Sequence, residues 1–232
     1  MDLDDRLKAR TRLASGQRAL VAFALCLAMT LFATIVAKGA DRKEEIPWIA
    51  TAAIVKDGGS NGAGVYLKSG IVITAAHLTD INAKMSVQIA GVELPAKVLK
   101  QGSLEDVDLT LLLVDEEKLP TNIKLPQMQL CAAPPWPGDP VIVVDATRAT
   151  RSHIVSPQVL SYTLRTRFST LIGDVATTGN SGSGVFDPSR KCLLGIMSRK
   201  FTFHTTEGDK DVAKYFVPAA TIRDFMSAEF KP

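Results

Sequence analysis

At 232 residues, 46% hydrophobic and 22% charged, the chain is long enough to bury one sizeable core or two small ones and too apolar to be disordered. Its formal charge of +3 comes from basic residues scattered among acidic ones. That excludes the dense positive stripe that nucleic acid requires.

The N-terminus carries the first legible element. From Ala19 to Ala37 run nineteen uncharged residues, ALVAFALCLAMTLFATIVA. As a helix they would extend about 28 Å, close to the thickness of a bilayer's hydrocarbon core. Arg6, Lys8, Arg10, Arg12 and Arg18 precede the run, whereas Lys38, Arg42 and Lys43 follow it mixed with Asp41, Glu44 and Glu45. The bias places residues 1–18 as a cytoplasmic tail, 19–37 as a single transmembrane anchor, 38–46 as a linker, and everything beyond on the exported side, periplasmic in a Gram-negative cell. A cleaved signal peptide, which would leave a secreted protein, is the competing reading; Ala37-Lys38-Gly39 loosely matches a cleavage site, but the run exceeds the usual signal core. A buried core helix fits less well, since the run is apolar on every face.

Past the linker the chain reads as short β segments: 48–56, 62–68, 70–74, 85–90, 92–99 and 108–114, punctuated by Gly58-Gly59, Ser69-Gly70 and Gly91. A connector over 116–139 breaks the pattern with Pro120, Pro126, Pro134, Pro135 and Pro137. A second set follows at 141–146, 153–166, 183–187, 192–199 and 212–217. From Ala219 to Phe230 the period becomes helical, with Ile222, Phe225 and Met226 on one side. Cys26 lies inside the apolar run, which leaves Cys131 and Cys192 as the pair in the remainder: bridged in an oxidising compartment, or two small buried thiols.

Three motifs carry chemistry. Thr74-Ala75-Ala76-His77 ends an apolar strand, Asp108 opens the run Leu109-Thr110-Leu111-Leu112-Leu113-Val114, and Ser181 sits in Thr178-Gly179-Asn180-Ser181-Gly182-Ser183-Gly184. Glycines around a serine let a tight loop aim its amides at a developing oxyanion, and Gly179 and Ser181 are the expected donors. A buried carboxylate needs a partner, and a histidine N–H is the one that would fix the ring's tautomer. Asp106 is the alternative to Asp108, two residues earlier. Taken alone, a Gly/Ser-rich stretch is an ordinary turn and a lone histidine is structural or a surface residue, the reading given to His153 and His204. The ordered trio favours a nucleophile.

These motifs resemble those of the trypsin-like (chymotrypsin-fold) serine peptidases, and their compact spacing is similar to the HtrA/DegP-like branch. The likeness runs over about 48–230, from Gly62-Ala63-Gly64-Val65 to the last strand, Tyr215-Phe216-Val217-Pro218. It implies an all-β peptidase domain over 47–232. Its parts would be two six-stranded antiparallel barrels, over about 47–115 and 140–218, with a closing helix over 219–230. Ser181 would attack a peptide carbonyl, His77 would act as base and then acid, and Asp108 would orient His77. Asn180 stands where digestive members carry an aspartate that pairs with a freshly cleaved N-terminus, so activation by N-terminal cleavage is not expected. The chain ends soon after the closing helix, which implies no appended PDZ domain. By the same resemblance Val175, Ala176 and Thr177, with Ser198, Arg199 and Lys200, line the substrate pocket. Val175 and Ala176 suggest a small or medium apolar substrate side chain, which is the preferred reading, whereas Arg199 and Lys200 would attract an acidic one.

The expected activity is a membrane-anchored serine endopeptidase acting on peptides or proteins, with no metal and no cofactor. The alternative from another class is a silent protease-like module that holds peptides or an envelope partner. An α/β-hydrolase esterase does not fit, because the order here is His-Asp-Ser and the second glycine of Gly-x-Ser-x-Gly is missing.

Overall fold

The computed structural model describes residues 48–123, 125–174, 179–206 and 208–227. The tail, apolar run and linker expected over 1–46 lie outside these, as do Val175, Ala176 and Thr177 and residues 228–230 of the expected closing helix. Among the described residues no helix is long and apolar enough to cross a membrane.

Six strands close the first barrel: β1 (Thr51–Lys56), β2 (Gly59–Lys68), β3 (Ile71–Thr74), β4 (Met85–Ile89), β5 (Val92–Gln101) and β6 (Thr110–Val114), in the order β1-β2-β3-β6-β5-β4. The second barrel is built from β7 (Pro140–Val144), β8 (Ala149–Val155), β9 (Leu171–Ile172), β10 (Gly184–Asp187), β11 (Cys192–Thr205) and β12 (Gly208–Pro218), in the order β10-β11-β12-β9-β8-β7. Neighbouring strands are antiparallel throughout, and closure leaves no open sheet edge. Helix α1 (Tyr162–Arg167) interrupts the second barrel, and α2 (Ala219–Ser227) follows its last strand.

Strands β3 and β7 are apolar along nearly their whole length because both their faces are covered. In β3, Val72 points into the first barrel among Ile54, Val87 and Leu112, while Ile71 and Ile73 point outward. In β7, Val141 and Val143 fill the second barrel with Ile172, Val185 and Phe216, while Ile142 and Val144 point outward. The outward residues meet. Ile73, Leu109 and Leu111 of one barrel and Ile142, Phe186, Ile196 and Val217 of the other form a single cluster, to which α2 adds Ile222. Alternation along each strand thus supplies three cores. Burying such side chains stabilises by about 1.5–3 kcal/mol each, which holds the barrels against one another.

The expected strand over 153–166 is corrected. β8 ends at Val155, and Ser156 accepts from the Gln158 amide at 3.3 Å to start a 3-10 turn over Pro157–Val159. Pro157 lacks the amide a central ladder needs. Beyond it Leu160, Leu164 and Phe168 recur at helical spacing and pack together, which makes α1 a helix despite its Tyr and Thr. The first strand begins at Thr51 rather than at Trp48, whose ring stands edge-to-face on Phe186 at 5.7 Å. β11 and β12 each run further than expected, and β9 is too short for any alternation to reveal it.

The connector is tied to both barrels. Met128 donates to Leu67 O at 2.8 Å, and Cys131 donates to Leu193 O at 2.9 Å. Cys131 and Cys192 are joined by a disulfide that closes a 61-residue separation. The Arg223 guanidinium of α2 donates to Cys131 O at 2.9 Å, so the closing helix is fastened to the same point.

Candidate active site

His77 lies in a one-turn 3-10 helix, Ala76–Leu78, immediately after β3. Ala75 and Ala76 are buried, and their small side chains let the turn lie flat on the first barrel. Asp108 precedes β6 and is 1% exposed. Its carboxylate is surrounded by donors: His77 Nδ1 at 2.9 Å from Oδ2, the His77 backbone amide at 3.1 Å from Oδ1, and the Ser198 hydroxyl at 2.6 Å from Oδ2. Burial pushes the Asp108 carboxyl up, but the hydrogen bonds from the His77 ring, Ser198 and the His77 amide together outweigh it and hold the group below the usual carboxylate range. An ionised carboxylate only accepts, so Nδ1 carries the proton and Nε2 presents its lone pair. Asp106, by contrast, is exposed in the preceding loop, where its amide donates to Ser103.

Ser181 belongs to the turn before β10 and is partly exposed. The turn is docked on the first barrel: Ala63 of β2 donates to Ser181 O at 3.0 Å. Two glycines permit that approach. A Cβ at Gly62 would stand 2.8 Å from Ser181 O, and one at Gly182, where φ is +81°, would stand 1.9 Å from Ala63 O. Thr74 supports the contact from below, donating to Ala63 O at 2.6 Å. Within the turn, Gly182 donates to Met197 O at 2.8 Å and Ser183 to Asn180 O at 3.1 Å. Among the described residues the Gly179 and Ser181 amides have no such backbone acceptor. Ser183 is fully buried, and its hydroxyl is out of a substrate's reach.

The Ser181 hydroxyl donates to Ser198 O at 3.5 Å, and among the described residues no hydrogen bond joins it to His77. Ser198 therefore touches both ends of the constellation, with its hydroxyl on Asp108 and its carbonyl beside Ser181. The expected pocket residues divide. Ser198 is 2% exposed and turned to Asp108. Arg199 lies over the Phe168 ring at 4.8 Å and donates to Leu104 O across the barrel junction. Lys200 pairs with Asp211 at 3.0 Å. His153 and His204 face Asp174 and Asp209, far along the chain from these groups.

Two participants escaped sequence reasoning. The resemblance puts Ser198 with the pocket, and only the register that carries β11 past Asp108 shows its hydroxyl's target. The signal for Lys214 is a lysine inside the last strand's apolar run, Val212-Ala213-Lys214-Tyr215-Phe216-Val217. Its ammonium donates to Gly179 O at 2.7 Å.

Solved structures similar in fold include the following three. The Rv3671c protease of M. tuberculosis in its inactive form is 16% identical with a TM-score of 0.55, covering 77% of this chain and 87% of that one. Kallikrein-related peptidase 10 is 16% identical with a TM-score of 0.58, covering 80% and 96%. Mouse neuropsin, a serine protease of the limbic system, is 17% identical with a TM-score of 0.58, covering 79% and 96%. No curated protein matches the chain in sequence. At such identities the structural likenesses carry the fold alone, and the family rests on the sequence match, which spans residues 34–196 and is to a trypsin-like peptidase domain. Sequence match and double barrel agree: the chain belongs to the trypsin-like peptidase family and is a serine endopeptidase.

Proposed function

We propose that the chain is a membrane-anchored serine endopeptidase whose catalytic residues are His77, Asp108 and Ser181. The observation that carries this reading is the 2.9 Å hydrogen bond between His77 Nδ1 and the buried Asp108 carboxylate, which commits one ring nitrogen and leaves the other for proton transfer. In the reaction the Ser181 hydroxyl turns from Ser198 O and passes its proton to His77 Nε2 while Oγ bonds to the substrate carbonyl carbon. The oxyanion is met by the Gly179 and Ser181 amides. His77 then protonates the leaving amine, an acyl ester remains on Ser181, and water repeats the sequence to release the acid. Asp108 stays ionised throughout, holding the imidazolium.

The apolar run over 19–37 supports an anchor with its N-terminus in the cytoplasm and the peptidase domain on the exported side, with release after signal cleavage as the alternative. The Cys131–Cys192 disulfide fits that oxidising side. Compact motif spacing favours the HtrA/DegP-like branch. The rest position of the Ser181 hydroxyl on Ser198 O is what favours the second reading, a silent module that holds peptides. Labelling of the detergent-solubilised protein with a fluorophosphonate separates the two. Ser181 reacts and Ser181→Ala does not if the enzyme reading holds; folded protein that stays unlabelled overturns it.

A further inference from the structure

The strand that carries Ser198 is irregular at that residue. On β11 Met197 pairs with Phe216 and Arg199 with Tyr215 of β12, so two steps along one strand match a single step along the other, and Ser198 is left without a cross-strand partner. Neighbouring residues of a regular strand send their side chains to opposite faces, and a bulge re-aims one of them. Here both reach the first barrel. The Ser198 hydroxyl meets Asp108, and the Arg199 guanidinium meets Leu104 O.

Both targets belong to one loop. Leu104 stands near the tip of the segment over 102–109, which joins β5 to β6 and delivers Asp108. The base of this loop is closed, with Gly102 donating to Leu109 O at 2.8 Å and Ser103 to Val107 O at 3.1 Å. Its tip is open: Leu104, Glu105 and Asp106 are exposed, and among the described residues the tip's other hydrogen bonds, from the Asp106 amide to Ser103, stay inside the loop. A loop with a closed base carries a shift at Leu104 through to Asp108.

Arg199 is seated more than it is satisfied. Its guanidinium carbon lies 4.8 Å from the centre of the Phe168 ring, which is itself fixed by the rings of Phe201 at 5.1 Å and Tyr215 at 4.9 Å. Yet Arg199 Nε is buried without an acceptor, a cost that an apolar chain of similar length would not incur. Stability alone would not choose arginine here. Burial raises the Asp108 carboxyl, and the groups that hold it low are His77 and Ser198, so Arg199 acts by its place and not by its charge.

We propose that Arg199 is a positioning residue for the reaction: from its seat on Phe168 it grips the Asp108 loop at Leu104 O and so fixes where the carboxylate meets His77. This rests on the endopeptidase reading above and goes beyond it. It also takes the Arg199 side chain out of the substrate pocket, because that side chain is spent on the barrel junction.

The test uses the full chain in detergent, with histidine labelled for nuclear magnetic resonance. The His77 Nδ1 proton, assigned by its loss in His77→Gln, gives a downfield line while the carboxylate accepts it. Arg199→Met should broaden or erase that line and lower kcat about 10- to 100-fold, the cost of a misplaced group, with the KM of a short peptide unchanged. The urea midpoint should move little, since the orphaned Nε leaves with the side chain. Phe168→Leu removes the seat and keeps the arginine, and it should show the same pattern more weakly. An unchanged line and kcat in either folded variant would make Arg199 a mere brace and overturn the inference. A raised KM or a changed side-chain preference at unchanged kcat would return Arg199 to the pocket and overturn it too, leaving the endopeptidase reading in place. Folded wild type that does not react with a fluorophosphonate overturns that reading, and the Nδ1 line still decides the inference.

Discussion

Replacing Ser198 by alanine isolates one hydrogen bond to a buried charge. The hydroxyl donates to Asp108 Oδ2 at 2.6 Å, and Asp108 is 1% exposed, so no water stands ready to replace it. Hydrogen bonds to charged groups contribute about 1.5–3 kcal/mol, and Ser198→Ala should lose that amount at pH 7. The loss has a definite pH signature. Asp108 titrates below the usual carboxylate range when folded, so the bond's contribution is fully present above the unfolded carboxyl value of about 4 and is lost as pH falls through the folded value. Urea unfolding of wild type and variant, measured at pH steps from 7 downward with the slope m held common, gives the gap directly. The gap should be widest at neutral pH and close in acid. A gap of the same size at the lowest pH at which both remain folded would mean that the hydroxyl fills space and does not act on the carboxylate. Turnover should fall with little change in KM, because the His77 ring loses orientation while the Ser198 carbonyl stays.

Gly62→Ala places a methyl 2.6 Å from a Leu78 methyl and 2.8 Å from Ser181 O, so the nucleophile turn must retreat. Fluorophosphonate labelling should slow at least tenfold for about 1–3 kcal/mol of stability lost, and unchanged labelling would refute a tight docking of that turn. Opening the Cys131–Cys192 link by Cys192→Ala should destabilise by about 4 kcal/mol on the chain-entropy account of its 61-residue separation, read as a lower urea midpoint that reductant no longer affects.

Legibility followed from how many faces of a strand are buried. Runs such as Ile71–Thr74 announced themselves, because both sides of β3 are covered and nothing interrupts the apolar pattern. The Leu160, Leu164 and Phe168 spacing was present as well, but the β-prone Tyr162, Thr163 and Thr166 between them masked a six-residue helix. Asp108 was findable as a carboxylate at the edge of a core. Ser198 was not, since its role depends on β11 crossing from one barrel to the junction with the other, a relation between residues 90 apart. Lys214 stood in plain view as a charge in an apolar strand, and strand alternation alone says which way it faces but not that a turn 35 residues away meets it.

The groups at the junction are divided between two rings that each close on themselves: His77 and Asp108 stand on the first, Ser181, Ser198 and Lys214 on the second. The chain passes between them once, through an exposed stretch around Thr121–Asn122, and the cystine lies wholly on the later side. A cut there would sever no strand ladder. Two separately produced halves, each inert, should regain hydrolysis on mixing in proportion to how firmly their greasy outer walls rejoin, which turns this architecture into a gauge of that association.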